Sequence, residues 1–178
     1  YRRKAQQPGV TVLSIGDAGA ALSSASTKLV AEYEVPFLAH APMEPLNCTV
    51  KITGDSCEIW TGTQFQTVDQ KVAAGILGTT IDKVQIHTTF LGGGFGRRAN
   101  PQSDFVAEAV TVAKAAGVPV KVVWTREDDI RGGYYRPAYV HRVQVALDLQ
   151  GNPSAWDHVV VGQSILTGTP FEAFAVKD

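Results

Sequence analysis

The 178 residues carry 16 Lys and Arg against 17 Asp and Glu, a net charge of −1, and no basic stripe is interleaved with aromatics. That balance argues against nucleic acid as a partner. With 44% hydrophobic and 19% charged residues the chain suits a globular protein able to bury a core, and no apolar run approaches the length of a membrane span.

Residues 1–9 read as a connecting segment. Tyr1-Arg2-Arg3-Lys4 has the basic start of a twin-arginine signal, but Ala5-Gln6-Gln7-Pro8-Gly9 follows where an apolar region should be. A start without methionine reads as a piece cut from a longer polypeptide. Val10 to Ile15 predicts a short strand, and Asp17 can cap an alanine-rich helix through about Lys28. Leu29 to Val35 alternates as a strand, stopped by Pro36.

Phe37 to Pro45 is punctuated by two prolines and reads as an ordered loop. His40, Met43 and Glu44 raise a metal reading, but the prolines rule out a helix that would set two ligands on one face. A loop packed on the core is the plainer reading. Val50 to Ile59 predicts a hairpin about Gly54-Asp55, which sets Ile52 opposite Cys57 and leaves Cys48 further down its strand. That register predicts two buried free thiols rather than a disulfide.

After Trp60-Thr61-Gly62-Thr63, Gln64 stands at a strand-to-helix junction, where its amide can point into a cleft or simply cap the helix. Phe65, Val68, Val72 and Ile76 share one face of a helix over 66–77 that Gly78 stops. Lys83 to Phe90 alternates as a strand and runs into Leu91-Gly92-Gly93-Gly94-Phe95-Gly96-Arg97-Arg98. Four glycines in five positions let backbone N–H groups approach a bulky ligand, and two guanidinium groups follow, so the stretch reads as an anion or cofactor loop. The alternative is an ordinary turn. Neither a P-loop nor the Gly-x-Gly-x-x-Gly dinucleotide signature fits it.

A helix opens at Ser103 or Asp104, buries Phe105, Val106, Ala109, Ala113 and Ala116, and ends at Gly117-Val118-Pro119. Val120 to Trp124 is a strand, and Thr125 to Arg131 is a charged turn or solvated helix start. Two long strands, Tyr139 to Leu149 and Ser154 to Gln163, flank the hairpin signal Gln150-Gly151-Asn152-Pro153. The pattern predicts an α+β fold, mostly antiparallel sheet with two main helices, near 66–77 and 103–116, packed on one side of it.

His40-Ala-Pro-Met-Glu-Pro45, Trp60-Thr-Gly-Thr-Gln64, Gly92-Gly-Gly-Phe-Gly96 and Thr125-Arg-Glu-Asp-Asp129, in that order, resemble the large, molybdenum-binding subunit of the xanthine dehydrogenase/aldehyde oxidase family. Tyr135 to Val143, Ala155-Trp-Asp-His158 and Val161-Gly-Gln-Ser-Ile165 look most like its isoquinoline 1-oxidoreductase type. The resemblance divides the chain into a connecting segment with a short helix, 1–28, and a partial cofactor-binding domain, the N-terminal lobe, 29–178.

The resemblance implies a molybdenum hydroxylase acting on an N-heterocycle or an aldehyde, with water as oxygen source. The implied cofactor is molybdopterin cytosine dinucleotide with molybdenum, present in the intact protein and not expected on this piece alone, which should be inactive. The implied partners are a small 2Fe–2S subunit or domain and the rest of the large subunit. Gln64 matches the glutamine whose amide donates toward the apical oxo group of molybdenum, and Gly94, Phe95 and Gly96 match the loop beside the metal. No metal ligand is implied in these residues, and the general-base glutamate is expected outside them. Glu108 and Glu172 lack its context.

Many relatives continue Phe-Gly-Gly-Lys-Glu, where Phe95-Gly96-Arg97-Arg98-Ala99 stands here, so the glutamate that orients a purine is missing and a less polar substrate is expected. Localisation, bacterial cytoplasm or periplasm, stays open. The competing reading is a non-catalytic module that binds a nucleotide-like cofactor or a partner subunit through the same glycine loop.

Overall fold

A computed structural model describes residues 1–174. They form two compact units, one of Ala39–Arg136 and one of Tyr1–Leu38 with the segment from Pro137 onward. No helix among the described residues is long and apolar enough to cross a membrane.

The 39–136 unit is a four-stranded sheet backed by two helices. Strands β2 (Asn47–Thr53) and β3 (Ser56–Thr61) form the expected hairpin, with Ile52 opposite Cys57 and Gly54 at φ +60° in the turn. Cys48 and Cys57 are free and buried. Desolvation pushes their thiols up to about 12 and about 11, so both behave as small apolar side chains. Helix α2 (Gln66–Leu77) then carries the chain back to β4 (Val84–Thr88), which lies parallel to β3, so 56–88 is a β–α–β crossover. After α3 (Asp104–Ala116), β5 (Val120–Val123) joins the far edge, giving the order β4-β3-β2-β5.

The core lies between one face of this sheet and the two helices. Leu46, Cys48, Val50, Cys57, Ile59 and Val84 meet Ala73 and Ala74 of α2 and Phe105, Val106, Ala109, Val110 and Ala113 of α3. Alanines at the helix contacts let the helix backbones approach closely, and Gly78 (φ +75°) and Gly117 (φ +68°) end both helices in the left-handed region. Thr125 and Asp128 form a capping box on a further short helix, α4 (Arg126–Arg131), where the sequence leaves the choice between turn and helix open.

The other unit is an antiparallel sheet in the order β1-β6-β7, built from β1 (Thr27–Val35), β6 (Tyr139–Leu147) and β7 (Pro153–Gly162). Its hairpin is pinned by Asp148, whose Oδ1 accepts the amide N–H groups of Gln150 and Asn152 at 2.9 and 2.8 Å. Asp17 caps α1 (Ala18–Ser24) through the Ala20 amide, but the helix stops four residues short of Lys28, which β1 recruits as a strand residue. The strand expected over Val10 to Ile15 does not form; those residues are irregular and exposed. Of the five strand pairings in the described residues, four are antiparallel and one is parallel, so the α+β reading with antiparallel pairing dominant stands.

Candidate functional site

The parallel pair decides where the site lies. Gln64 follows the C-terminal end of β3 and the glycine loop follows that of β4. Because the two strands run side by side, with the Thr89 amide donating to the Thr61 carbonyl at 3.1 Å, both connections emerge at the same edge. There the Gln64 amide N–H donates to the Arg98 carbonyl at 3.1 Å, and the Gly96 N–H donates to Gln64 Oε1 at 3.2 Å. Since Oε1 accepts, the NH2 of that side chain points away from Gly96, and it donates to no acceptor among the described residues.

A Cβ on Gly94 would lie 2.5 Å from Gln64 Oε1, so a larger residue there would displace the Gln64 side-chain amide. A Cβ on Gly96 would meet nothing within 4 Å, so the space beside Gly96 is open. Phe95 is 68% exposed and sits in the left-handed region at φ +53°. Such backbone costs on the order of 1–3 kcal/mol and persists only where the surroundings impose it. The amides of Gly94 and Phe95 donate to nothing among the described residues.

Neither arginine of the loop faces outward. Arg97 makes a bidentate pair with Asp104 at 3.0 and 2.7 Å at the start of α3, with its guanidinium 5.5 Å from the Trp124 ring centroid. Arg98 pairs with Glu44 at 3.0 Å. The anion-binding role open to these two guanidinium groups in the sequence is therefore already filled by the protein's own carboxylates. Burial, not spacing, decides this, and adjacent arginines carry no signal of it in sequence.

The residues around Gln64 are locked by partners that the sequence reading missed. Thr63 donates its hydroxyl to the buried carboxylate of Asp69 in the first turn of α2, and burial pushes that carboxyl's pKa up. Glu44 accepts from the Gly92 amide at 2.8 Å and from Asn47 at 2.7 Å. Arg126 donates to the carbonyls of Pro42 and Met43 at 2.7 and 2.9 Å. The four sequence motifs thus converge on one another. His40, Met43 and Glu44 do not form a ligand set: Met43 is 89% exposed and Glu44 is engaged with Arg98. Burial, then the nearby Arg97 cation, pushes the His40 pKa down, so its imidazole is neutral at neutral pH. Glu108 accepts from the Trp124 indole at 2.6 Å, and Glu172 accepts from the Gly168 amide at 3.1 Å.

The molybdopterin cofactor-binding domain family matches residues 3–170. The chain belongs to this family. It is 40% identical over 137 residues to isoquinoline 1-oxidoreductase subunit beta of Brevundimonas diminuta, covering 76% of this chain and 17% of that protein. It is 33% identical over 170 residues to a membrane-bound aldehyde dehydrogenase of Gluconacetobacter polyoxogenes, named for pyrroloquinoline quinone, covering 95% and 22%. The chain thus spans about a fifth of the length of these curated relatives. Among solved structures, the aldehyde oxidoreductase of Desulfovibrio gigas superposes with a TM-score of 0.67 at 21% identity, over 83% of this chain and 16% of that one, which shows a shared fold.

The groups gathered at this candidate site are of the kind that would suit an anionic, metal-bearing cofactor. Among the described residues the Gln64 NH2 and the Gly94 and Phe95 amides have no acceptor, the space beside Gly96 is open, and both guanidinium groups of the loop are turned inward.

The Glu44 carboxylate should make the domain's loop acid-sensitive. Burial raises its pKa, but the Gly92 amide, Asn47 and the Arg98 cation outweigh this and hold it below the usual glutamate range. A depressed folded pKa means that the stabilisation is complete above the unfolded value and is lost as pH falls through the folded one. Glu44→Gln should therefore lower the melting temperature at neutral pH, and the gap to the parent should close in acid below the ordinary glutamate range. A gap that stays constant with pH would show that Glu44 acts by shape and not by charge.

Proposed function

We propose that this chain supplies the glycine-loop side of the molybdenum site in a molybdenum hydroxylase that oxidises an isoquinoline-like N-heterocycle or an aldehyde, with water as the oxygen source. The observation that carries the reading is the pinned Gln64 side chain, whose oxygen is taken by Gly96 and whose NH2 is left to donate. Molybdopterin cytosine dinucleotide with molybdenum would supply two-electron oxidation of the substrate carbon. Gln64 and the amides of Gly94 and Phe95 would hold its charged head with dipoles that need no reorganisation. The partners would be a small 2Fe–2S subunit or domain and the remainder of a large subunit of the relatives' length.

The exposed Phe95 ring would offer a flat apolar surface to an aromatic substrate. With Arg97 and Arg98 turned inward and Ala99 in place of a glutamate, the loop presents no ionic group to orient a hydroxypurine. Production of the assembled protein in a host that makes the cofactor tests this reading. About one molybdenum per chain, release of cytidine monophosphate on acid hydrolysis, and turnover of isoquinoline or an aromatic aldehyde in preference to hypoxanthine are expected. Protein without molybdenum would reject the reading in favour of a non-catalytic binding module.

A further inference from the structure

Arg98 is a fully buried side chain, 1% exposed, immediately after the glycine loop in the chain. Its Nε donates to the Gly93 carbonyl at 3.0 Å and one terminal nitrogen to the Gly62 carbonyl at 3.1 Å. The other terminal nitrogen donates to the Glu44 carbonyl at 2.9 Å and the Glu44 carboxylate at 3.0 Å. Its own carbonyl accepts the Gln64 amide N–H, and Glu44 returns to the loop by exchanging bonds with Gly92, at 3.1 Å from its N–H and 2.8 Å to its carboxylate. One planar guanidinium therefore ties together the loop, the turn that carries Gln64 and the 42–44 segment.

We propose that Arg98 is a positioning residue, which sets the separation between the Gln64 side-chain amide and the loop amides of Gly94 and Phe95; this rests on the reading that these groups face a cofactor. The geometry separates this role from ordinary stabilisation. The hydrophobic core lies between the sheet and the helices, and Arg98 belongs to none of it. What it satisfies are main-chain carbonyls of Gly62 and Gly93, on the two connections that leave the parallel strands. A lysine keeps the charge, but its single nitrogen cannot reach carbonyls arrayed around a fork, so Arg98→Lys is not conservative here. The contact is close: a Cβ on Gly62 would lie 3.4 Å from Arg98 and 3.1 Å from Leu91.

Amide hydrogen exchange, followed by NMR on the 178-residue chain, tests the proposal without any metal. The reporters are the bonded amides of Gln64, Gly92 and Gly96, with Ala109 and Val110 of α3 as the core reference. Arg98→Lys should speed exchange at the three site amides at least tenfold while the two core amides stay within twofold. The two side-chain NH2 signals of Gln64 should move toward the values of a free glutamine. Equal acceleration at both sets of amides, or none at either, would overturn the proposal. Should Arg98→Lys fail to fold, Glu44→Gln, which keeps an acceptor for the Gly92 amide but removes the charge, is judged by the same criterion. Because these readouts need no molybdenum, they decide the positioning role separately from the cofactor reading, which the molybdenum analysis decides. In the assembled, loaded enzyme, Arg98→Lys should lower kcat per molybdenum tenfold or more with the metal content retained. An unchanged kcat would also overturn the proposal.

Discussion

On the proposed reading, Gln64→Ala in the assembled enzyme should lower kcat/KM about a hundredfold per bound molybdenum, because it removes a preorganised donor to the cofactor, a loss of about 3 kcal/mol. The geometry makes this substitution a clean test. Gln64 is held through its main chain by Arg98 and through its side-chain oxygen by Gly96, and it contributes nothing to the hydrophobic core. Its loss should leave the melting temperature nearly unchanged. Phe95→Ala should differ, raising KM and blurring selectivity with a smaller loss of kcat, since its exposed ring offers surface and not a charge-stabilising bond. If Gln64 only closes the turn ahead of α2, Gln64→Ala would lower the melting temperature and leave the rate per molybdenum untouched. Activity per bound metal, measured beside thermal unfolding, separates the two.

Asp104→Ala should be the most damaging change to stability outside the core, costing about 3 kcal/mol or more in denaturant unfolding of the chain. The Arg97 guanidinium is 2% exposed and makes both of its charge-assisted bonds to Asp104. Without Asp104 it remains buried with its charge uncompensated. It also packs against the Gly133 backbone, where a Cβ would fall 2.3 Å from its terminal nitrogen. Replacing both partners, as Arg97→Met with Asp104→Ala, should recover most of the loss, since a paired set of buried charges adds little over apolar packing. A cost below about 1 kcal/mol for Asp104→Ala alone would mean that water reaches the guanidinium, and the burial argument would fall.

Much of the local structure was legible in the sequence. The helix at 66–77 was readable because Phe65, Val68, Val72 and Ile76 repeat at helical spacing and Gly78 can take a left-handed φ. The Ile52–Cys57 register followed from a two-residue turn at Gly54. By contrast, the strand expected over Val10 to Ile15 had the composition of one but no neighbour to pair with, and unpaired extended backbone gains nothing over solvated coil. Lys28 shows the converse: a residue with good helix propensity was taken into β1 by its pairing with Ala146.

The site divides along the same line. Four short motifs, read in order, resemble a molybdenum-binding subunit, and that resemblance marks Gln64, Gly94, Phe95 and Gly96; residue type alone offers a glycine loop open to a ligand or a plain turn, and a junction amide that can enter a cleft or cap the helix. That these groups meet was decided by the tertiary structure. Parallel pairing of β3 with β4 brings Gln64 and Gly96, 32 residues apart, to one edge, and no local periodicity states the direction in which two strands pair. The direction in which Arg97 and Arg98 point was likewise beyond the sequence. A guanidinium after a glycine loop can meet a ligand's phosphate or the protein's own carboxylate, and only the placement of Asp104 and Glu44 within reach of a buried cation selects the second.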